Sequence, residues 1–247
     1  MVWLTNSQKR NPMEYKKLEA PSLKDLFVEE IESKILSGEL EIGDKLPTER
    51  ELADVMGINR NIVHSGITAM VAKGFLEISP RVGTFVADYN QKGSVEILVS
   101  MMNYNRGMLR HAEIRSSIEL KILFDTFAIR QMIPNLNDEK IEKLQSYILS
   151  LNPSAKVSVI GEIAYEFFRY MSILSGNTIL PLIYNSFRTS NRNLFERHIR
   201  QYGVQLTIDF MTELYDLIVA KRTEDAINHV TTYYQRSIKG DLEIYYD

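Results

Sequence analysis

Residues 46–63 read LPTERELADVMGINRNIV. Thr48 followed three residues later by Glu51 is the pattern of a capping box, in which hydroxyl and carboxylate each satisfy the other residue's backbone N–H at the start of a helix. Leu52, Val55 and Met56 give the short helix that follows one apolar face. Gly57 ends it, because glycine closes a helix in the left-handed conformation without a Cβ clash. Asn59 then caps another helix, with Ile62, Val63, Ile67, Met70 and Val71 on its inner side. Two short helices joined across a glycine turn form a helix-turn-helix.

The segments on either side extend this motif. Upstream, Ser22 caps a helix whose apolar positions Leu23, Leu26, Phe27, Ile31 and Ile35 follow helical spacing; Gly38 stops it and Gly43 marks a turn. Downstream of Lys73-Gly74 the period changes from helical to alternating. Residues 75–79 and 84–87 read as two strands joined by Pro80-Arg81-Val82-Gly83. A hairpin directly after a recognition helix is a wing. Its tip residue Arg81 is placed to reach the DNA backbone or minor groove while the helix lies in the major groove.

Net charge does not announce a DNA binder. Residues 1–90 hold 11 Lys and Arg against 14 Asp and Glu, and the remainder holds 18 of each, so the domain-wide basic surface common among such proteins is missing. The local distribution is more telling. From Val55 to Leu76 there is no acidic residue, while Arg60, His64 and Lys73 fall inside. An acid-free face approaches phosphates without like-charge repulsion.

From Leu23 to Val86 the chain resembles the DNA-binding domain of the GntR family of bacterial regulators. Gly43 to Pro47 (GDKLP), Thr48 to Leu52 (TEREL), Gly57 with Arg60, Gly74-Phe75-Leu76 and Gly83-Thr84-Phe85-Val86 carry the resemblance. It implies that Arg50 and Arg60 contact DNA, as bidentate donors to guanine or as phosphate clamps. Asn59, Asn61, His64, Arg81, Gly83 and Thr84 complete the set of candidate DNA-facing residues. The plainer alternative is that the two arginines are surface ion-pair partners. One departure bears on the base code: His64-Ser65-Gly66 stands where the family usually has Arg-Glu-Ala. The arginine contact is lost there, and Gly66 costs its helix up to about 1 kcal/mol relative to alanine.

From Ser94 onward helical periodicity dominates, with helices predicted near 94–104, 111–131, 137–151, 156–175, 178–199, 203–222 and 223–238, punctuated by Pro134, Pro153, Gly176 and Gly203. The predicted fold is therefore mainly α. Residues 1–20 form a loose polar arm, residues 21–90 a winged helix-turn-helix, and residues 91–247 an all-helical effector-binding and dimerisation domain. The arm lacks the apolar core of a secretory signal, and no stretch has the roughly 18 uncharged apolar residues of a membrane span. With no cysteine in the chain, thiolate metal sites, disulfides and cysteine nucleophiles are excluded, and a cytoplasmic setting is expected.

The helical half is similar to the FadR-type branch of the family, many members of which bind a divalent metal through an aspartate and three histidines. Aligned on Phe167-Phe168-Arg169 with Ser175-Gly176-Asn177, and on Leu217-Ile218 with Glu224-Asp225-Ala226, the four ligand positions hold Tyr165, Arg169, Met211 and Tyr233. Arginine is permanently charged, a thioether is soft and tyrosine rarely ligates such a cation, so no metal is expected. The resemblance instead implies an effector pocket involving Arg115, Tyr165, Arg169, Met211, Tyr233 and Ser237. The effector would be anionic: a carboxylate, a phosphate or an acyl-CoA thioester. Arg169 paired with Glu166 or Glu119, and the aromatic run around Tyr165 as plain core, fit the sequence as well. Arg188, Arg192, Arg197 and Arg200 form a second basic cluster, readable as a ligand contact or as a solvated face.

No catalytic motif is found. His111-Ala112-Glu113 echoes a zinc deaminase, but its Pro-Cys-x-x-Cys partner cannot exist in a chain without cysteine. The expected function is a homodimeric transcription regulator, a repressor, that binds double-stranded operator DNA under control of a small-molecule effector. The alternative is a winged-helix protein-interaction module with a helical dimerisation domain.

Overall fold

The computed structural model describes residues 21–104 and 111–244; the arm expected over residues 1–20 lies outside them. The chain divides into two compact units. One runs to Ala72 and takes in Leu76–Ala87, and the other comprises Lys73–Phe75 and the chain from Asp88 onward.

In the first unit α1 (Leu23–Ser37) starts at a capping box of Ser22 and Asp25 and stops at Gly38, whose φ of 83° is left-handed. Its buried face is Phe27, Val28, Ile31, Ile35 and Leu36. Leu23 and Leu26, expected on that face, are 51% and 46% exposed, because the first turn projects beyond the core and its neighbours Ser22, Lys24 and Asp25 are exposed too. The second helix, α2 (Glu49–Met56), carries the anticipated Thr48–Glu51 box and a left-handed Gly57 cap. Leu52, Ala53 and half-buried Met56 form its inward face, which turns Val55 outward to 86% exposure, contrary to expectation.

The third helix, α3 (Arg60–Lys73), buries Val63, Gly66, Ile67 and Met70. The Asn59 side chain accepts from the Asn61 N–H at 2.8 Å at its start. Gly66 is a packing residue: a Cβ built there would stand 2.3 Å from Phe27 Cδ1 and 2.7 Å from Cε1. The wing is β1 (Leu76–Ser79) antiparallel to β2 (Gly83–Val86), in register from Leu76↔Val86 to Ser79↔Gly83. Residues 43–46 clamp it from outside: Gly43 N donates to Val86 O, Val86 N to Asp44 O and Leu46 N to Thr84 O, each at 2.9 Å. That pairing fixes the hairpin's base and leaves its tip exposed.

The second unit contains α4 (Tyr89–Lys92), α5 (Val95–Asn103), α6 (His111–Met132), α7 (Asp138–Leu149), α8 (Val157–Leu174), α9 (Leu180–Ser186), α10 (Arg188–Tyr202), α11 (Val204–Val219) and α12 (Thr223–Ile238), with a 3₁₀ turn at Ile133–Asn135. The short α4 was not anticipated. The helix predicted over 178–199 is two, because Phe187 leaves helical geometry at φ −105° and ψ 20°. No glycine or proline stands between Tyr184 and Thr189 to announce the break. The core gathers around α8, where Ala164, Tyr165, Phe167, Phe168 and Met171 are buried against aromatic and aliphatic side chains of α6, α10, α11 and α12. Among the described residues no helix is long and apolar enough to cross a membrane.

Candidate nucleic-acid interface and interior polar site

The outer face of α3 presents Arg60, Asn61, His64, Ser65 and Thr68 to solvent. The acid-free stretch of sequence is not acid-free in space. Glu49, at the start of α2, accepts from Arg60 Nε at 3.1 Å through one carboxylate oxygen, and His64 Nδ1 lies 2.7 Å from the other. The His64 hydrogen bond, then that of Arg60, holds the Glu49 carboxyl below the usual carboxylate range against the opposing effect of partial burial. Arg60 and His64 remain 70% and 66% exposed in their side chains, so Glu49 orients them without hiding them.

The other candidates sit around this trio. Arg50 is 87% exposed and only loosely paired, 4.0 Å from Asp54. Asn59 is exposed at the start of α3. Arg81 occupies the wing tip in the left-handed region at φ 66°, a conformation disfavoured for a residue with a side chain. Gly83 and Thr84 are half-buried in β2. A Cβ on Gly83 would meet the Lys45 side chain at 2.6 Å, and the Thr84 carbonyl is committed to Leu46. Gly83 closes the hairpin next to its tip, opposite Ser79, and Thr84 ties β2 to residue 46. A protruding helix with two oriented basic side chains, flanked by a hairpin carrying an arginine at its tip, can enter a major groove and touch the adjacent backbone.

In the second unit the six residues expected at an effector pocket are not brought together as a set. Arg115 is exposed on α6 and donates to Glu119 at 2.9 Å. Arg169 donates to Glu166 at 2.8 Å, the pairing that the sequence had left open as its alternative. Tyr165 is buried with its hydroxyl on the Tyr184 carbonyl at 3.2 Å, and Met211 is fully buried core. Tyr233 and Ser237 do share a cavity: Ser237 Oγ donates to the Tyr233 carbonyl at 3.2 Å, and the Tyr233 hydroxyl lies 3.1 Å from His198 Nε2. Burial, then the charge of Arg236, pushes the His198 pKa down to about 4, and burial raises that of Tyr233. The basic cluster on α10 is an ion-pair lattice: Arg188 pairs with Glu162, and Arg192 and Arg200 with Glu196. Arg197 donates to the Ile244 carbonyl at 3.1 Å. Among the described residues no three His, Asp or Glu side chains converge as a metal site would require.

A buried ion pair borders the cavity that Tyr233 and Ser237 share. Lys121 and Asp125, one turn apart on α6, are 6% and 1% exposed and joined at 2.8 Å. Asp125 also accepts from the hydroxyls of Tyr184 and, at 2.9 Å, Tyr234. The ammonium sits over Phe168 at 4.1 Å from the ring centroid and within 5.2 to 5.4 Å of the Phe195, Tyr184 and Tyr234 rings. Burial presses both members of the pair toward neutrality, the lysine pKa down and the aspartate pKa up, and their mutual attraction opposes it. The sequence held one signal of this pair: positions 121 and 125 fall in phase with the buried stripe Ile114, Ile118, Ala128 and Met132.

The first unit is that of a winged helix-turn-helix DNA-binding protein. The sequence profile of the gntR family of bacterial regulatory proteins matches residues 24–86, so the first unit carries a helix-turn-helix domain of that family. Mce2R, an HTH-type transcriptional regulator of Mycobacterium tuberculosis, is 25% identical over 170 residues, 68% of this chain and 70% of that protein. The fatty acid metabolism regulator protein of Proteus mirabilis is 25% identical over 200 residues, 79% of this chain and 80% of the relative. Among solved structures, Lar, which controls expression of the Listeria monocytogenes agr system, superposes with a TM-score of 0.58 at 15% identity, covering 90% of this chain and 97% of that one; this likeness concerns the fold alone.

Proposed function

We propose that this DNA-binding transcription regulator is a dimeric repressor: two copies present their α3 helices to two half-sites of a pseudo-palindromic operator, and a small molecule held in the helical unit alters that binding. The observation that carries the reading is the outer face of α3, where Arg60 and His64 are exposed yet held in fixed orientations by Glu49. Fixed, exposed donors suit base-edge recognition better than diffuse phosphate attraction. Sensing without a metal is in keeping with Tyr165, Arg169, Met211 and Tyr233, the residues that the family resemblance implies at the metal-ligand positions.

The net acidity of the first domain and the carboxylate at α3 favour a second reading, a winged helix that docks on protein. One experiment separates the two. Selection of a random duplex pool by the full chain enriches a two-fold symmetric sequence if the first reading holds, and its affinity falls steeply with salt. A pool that stays random after repeated rounds would leave the protein-docking reading standing.

A further inference from the structure

The outward face of α6 is apolar along its middle. Leu120, Leu123 and Phe127 are 39%, 62% and 42% exposed, while the opposite face of the same helix holds the buried stripe from Ile114 to Met132. With Ser116 before them and Arg130 after, these residues recur at steps of four, three, four and three, the spacing of a coiled-coil seam. Half-buried Phe124 widens the strip on one side, toward Ile183 of α9, with which it borders a groove. The other side carries Glu119 and Arg130, 11 residues apart and therefore on one line along the helix, about three turns from each other. Both are exposed and paired within their own chain, Glu119 with Arg115 at 2.9 Å and Arg130 with Glu224 at 3.1 Å. Large apolar side chains exposed in a continuous strip with a polar edge mark a contact surface.

We propose that this strip is the dimer contact, and that its occupant is α6 of a second copy, antiparallel across a two-fold axis. This rests on the dimeric reading above and names the surface that reading uses. The charges select the occupant. Antiparallel pairing that seats Leu123 of one copy against Phe127 of the other also sets Leu120 against Arg130 of the other copy. It brings Glu119 beside that same guanidinium, and symmetry repeats the contact at the far end. Glu119 and Arg130 lie six and five residues from the midpoint of Leu123 and Phe127, so an acid at one end of the strip answers a base at the other. Parallel pairing would instead set like against like. The bonds of Arg130 to Glu224 use Nη2, and its Nε and Nη1 can meet a second carboxylate while its aliphatic stem covers Leu120. Such rim pairs fix direction and register and add little affinity; leucine and phenylalanine withdrawn from water supply the attraction.

The test uses the full chain and two variants, Glu119→Arg and Arg130→Glu, one of them isotope-labelled, read by sedimentation and native mass spectrometry. Alone, each variant places like charges at both ends of the contact, and its dimer dissociates about tenfold more readily than wild type. Mixed, the two variants prefer each other, because every contact between positions 119 and 130 then joins opposite charges. The heterodimer therefore exceeds the share that random exchange gives. The altered pairings with Arg115 and Glu224 are the same in homodimer and heterodimer and cannot produce that preference. Leu123→Glu, at a position already exposed, keeps the wild-type circular dichroism and weakens the dimer by about a hundredfold or more. Random mixing of the charge variants, or a Leu123→Glu dimer as stable as wild type, overturns this face and leaves the dimeric reading standing. A wild type that stays monomeric at high micromolar concentration overturns both. Operator binding by the same samples is scored separately.

Discussion

Gly66 of α3 and the ring of Phe27 of α1 stand so close that any Cβ at position 66 would lie 2.3 Å from Phe27 Cδ1. A residue that looks like a helix weakness in the sequence is the opening through which α1 packs on the recognition helix. Gly66→Ala gains helix propensity of about 1 kcal/mol yet is expected to destabilise the first unit by about 1 to 3 kcal/mol through overpacking. Phe27→Leu in the same chain should recover part of that loss. Urea denaturation of the two single variants and the double checks it; additive losses would show that the two positions are independent.

Glu49 is the second contact of consequence. Glu49→Gln leaves the side chain's size and removes the charge that orients Arg60 and His64. Discrimination between the selected operator and a scrambled duplex is expected to fall about tenfold, of the order of one base contact. Anisotropy titrations of both duplexes at one fixed salt concentration measure it. If both affinities rise by the same factor, Glu49 acts only as a repulsive charge.

The two arginines carry different expectations. Arg60, oriented and central on α3, should cost about 1 to 3 kcal/mol of operator binding when changed to alanine, with a smaller effect on scrambled DNA. Arg50, 87% exposed and loosely paired, should weaken binding to all sequences alike and lower the salt slope by about one unit when changed to alanine. Salt series on both variants decide whether this division of labour is right.

His198 makes the helical unit sensitive to acid. Its folded pKa is pushed down to about 4 from 6.5, so between those values the unfolded chain binds the proton that the folded chain excludes. The contribution of His198 to stability is therefore full above about pH 6.5 and is lost as pH falls toward 4, up to roughly 3 kcal/mol in total. His198→Gln should flatten this limb relative to wild type. Denaturation midpoints at a series of pH values settle the matter, and parallel wild-type and variant curves would count against it.

What was legible in the sequence was local. Ser22, Thr48 with Glu51, and the glycines at 38 and 57 announce helix ends because a cap is made by residues a few positions apart. The break at Phe187 was invisible because no backbone-breaking residue marks it. The contacts that give the sites their chemistry join residues far apart in the chain. Glu49 reaches 15 residues to His64, and Tyr184 and Tyr234 reach 59 and 109 residues to Asp125. Charge counts along the chain could not reveal that an acid would be folded against the acid-free stretch from Val55 to Leu76. Lys121 and Asp125 were readable as two charges on an apolar stripe, and that stripe, rather than the arginines at 115 and 169, was the better pointer to the interior.

The pairing of Arg60 and His64 with Glu49 also shapes how such a protein would search a chromosome. Docking on DNA exchanges one anionic partner for another, so these two side chains displace few of the cations condensed on the duplex, and random sequence offers them little gain. Only a site whose base edges improve on the carboxylate retains the protein. Bulk DNA then holds the protein less firmly than it would if these two cations were unpaired, and the preference for the operator is correspondingly larger.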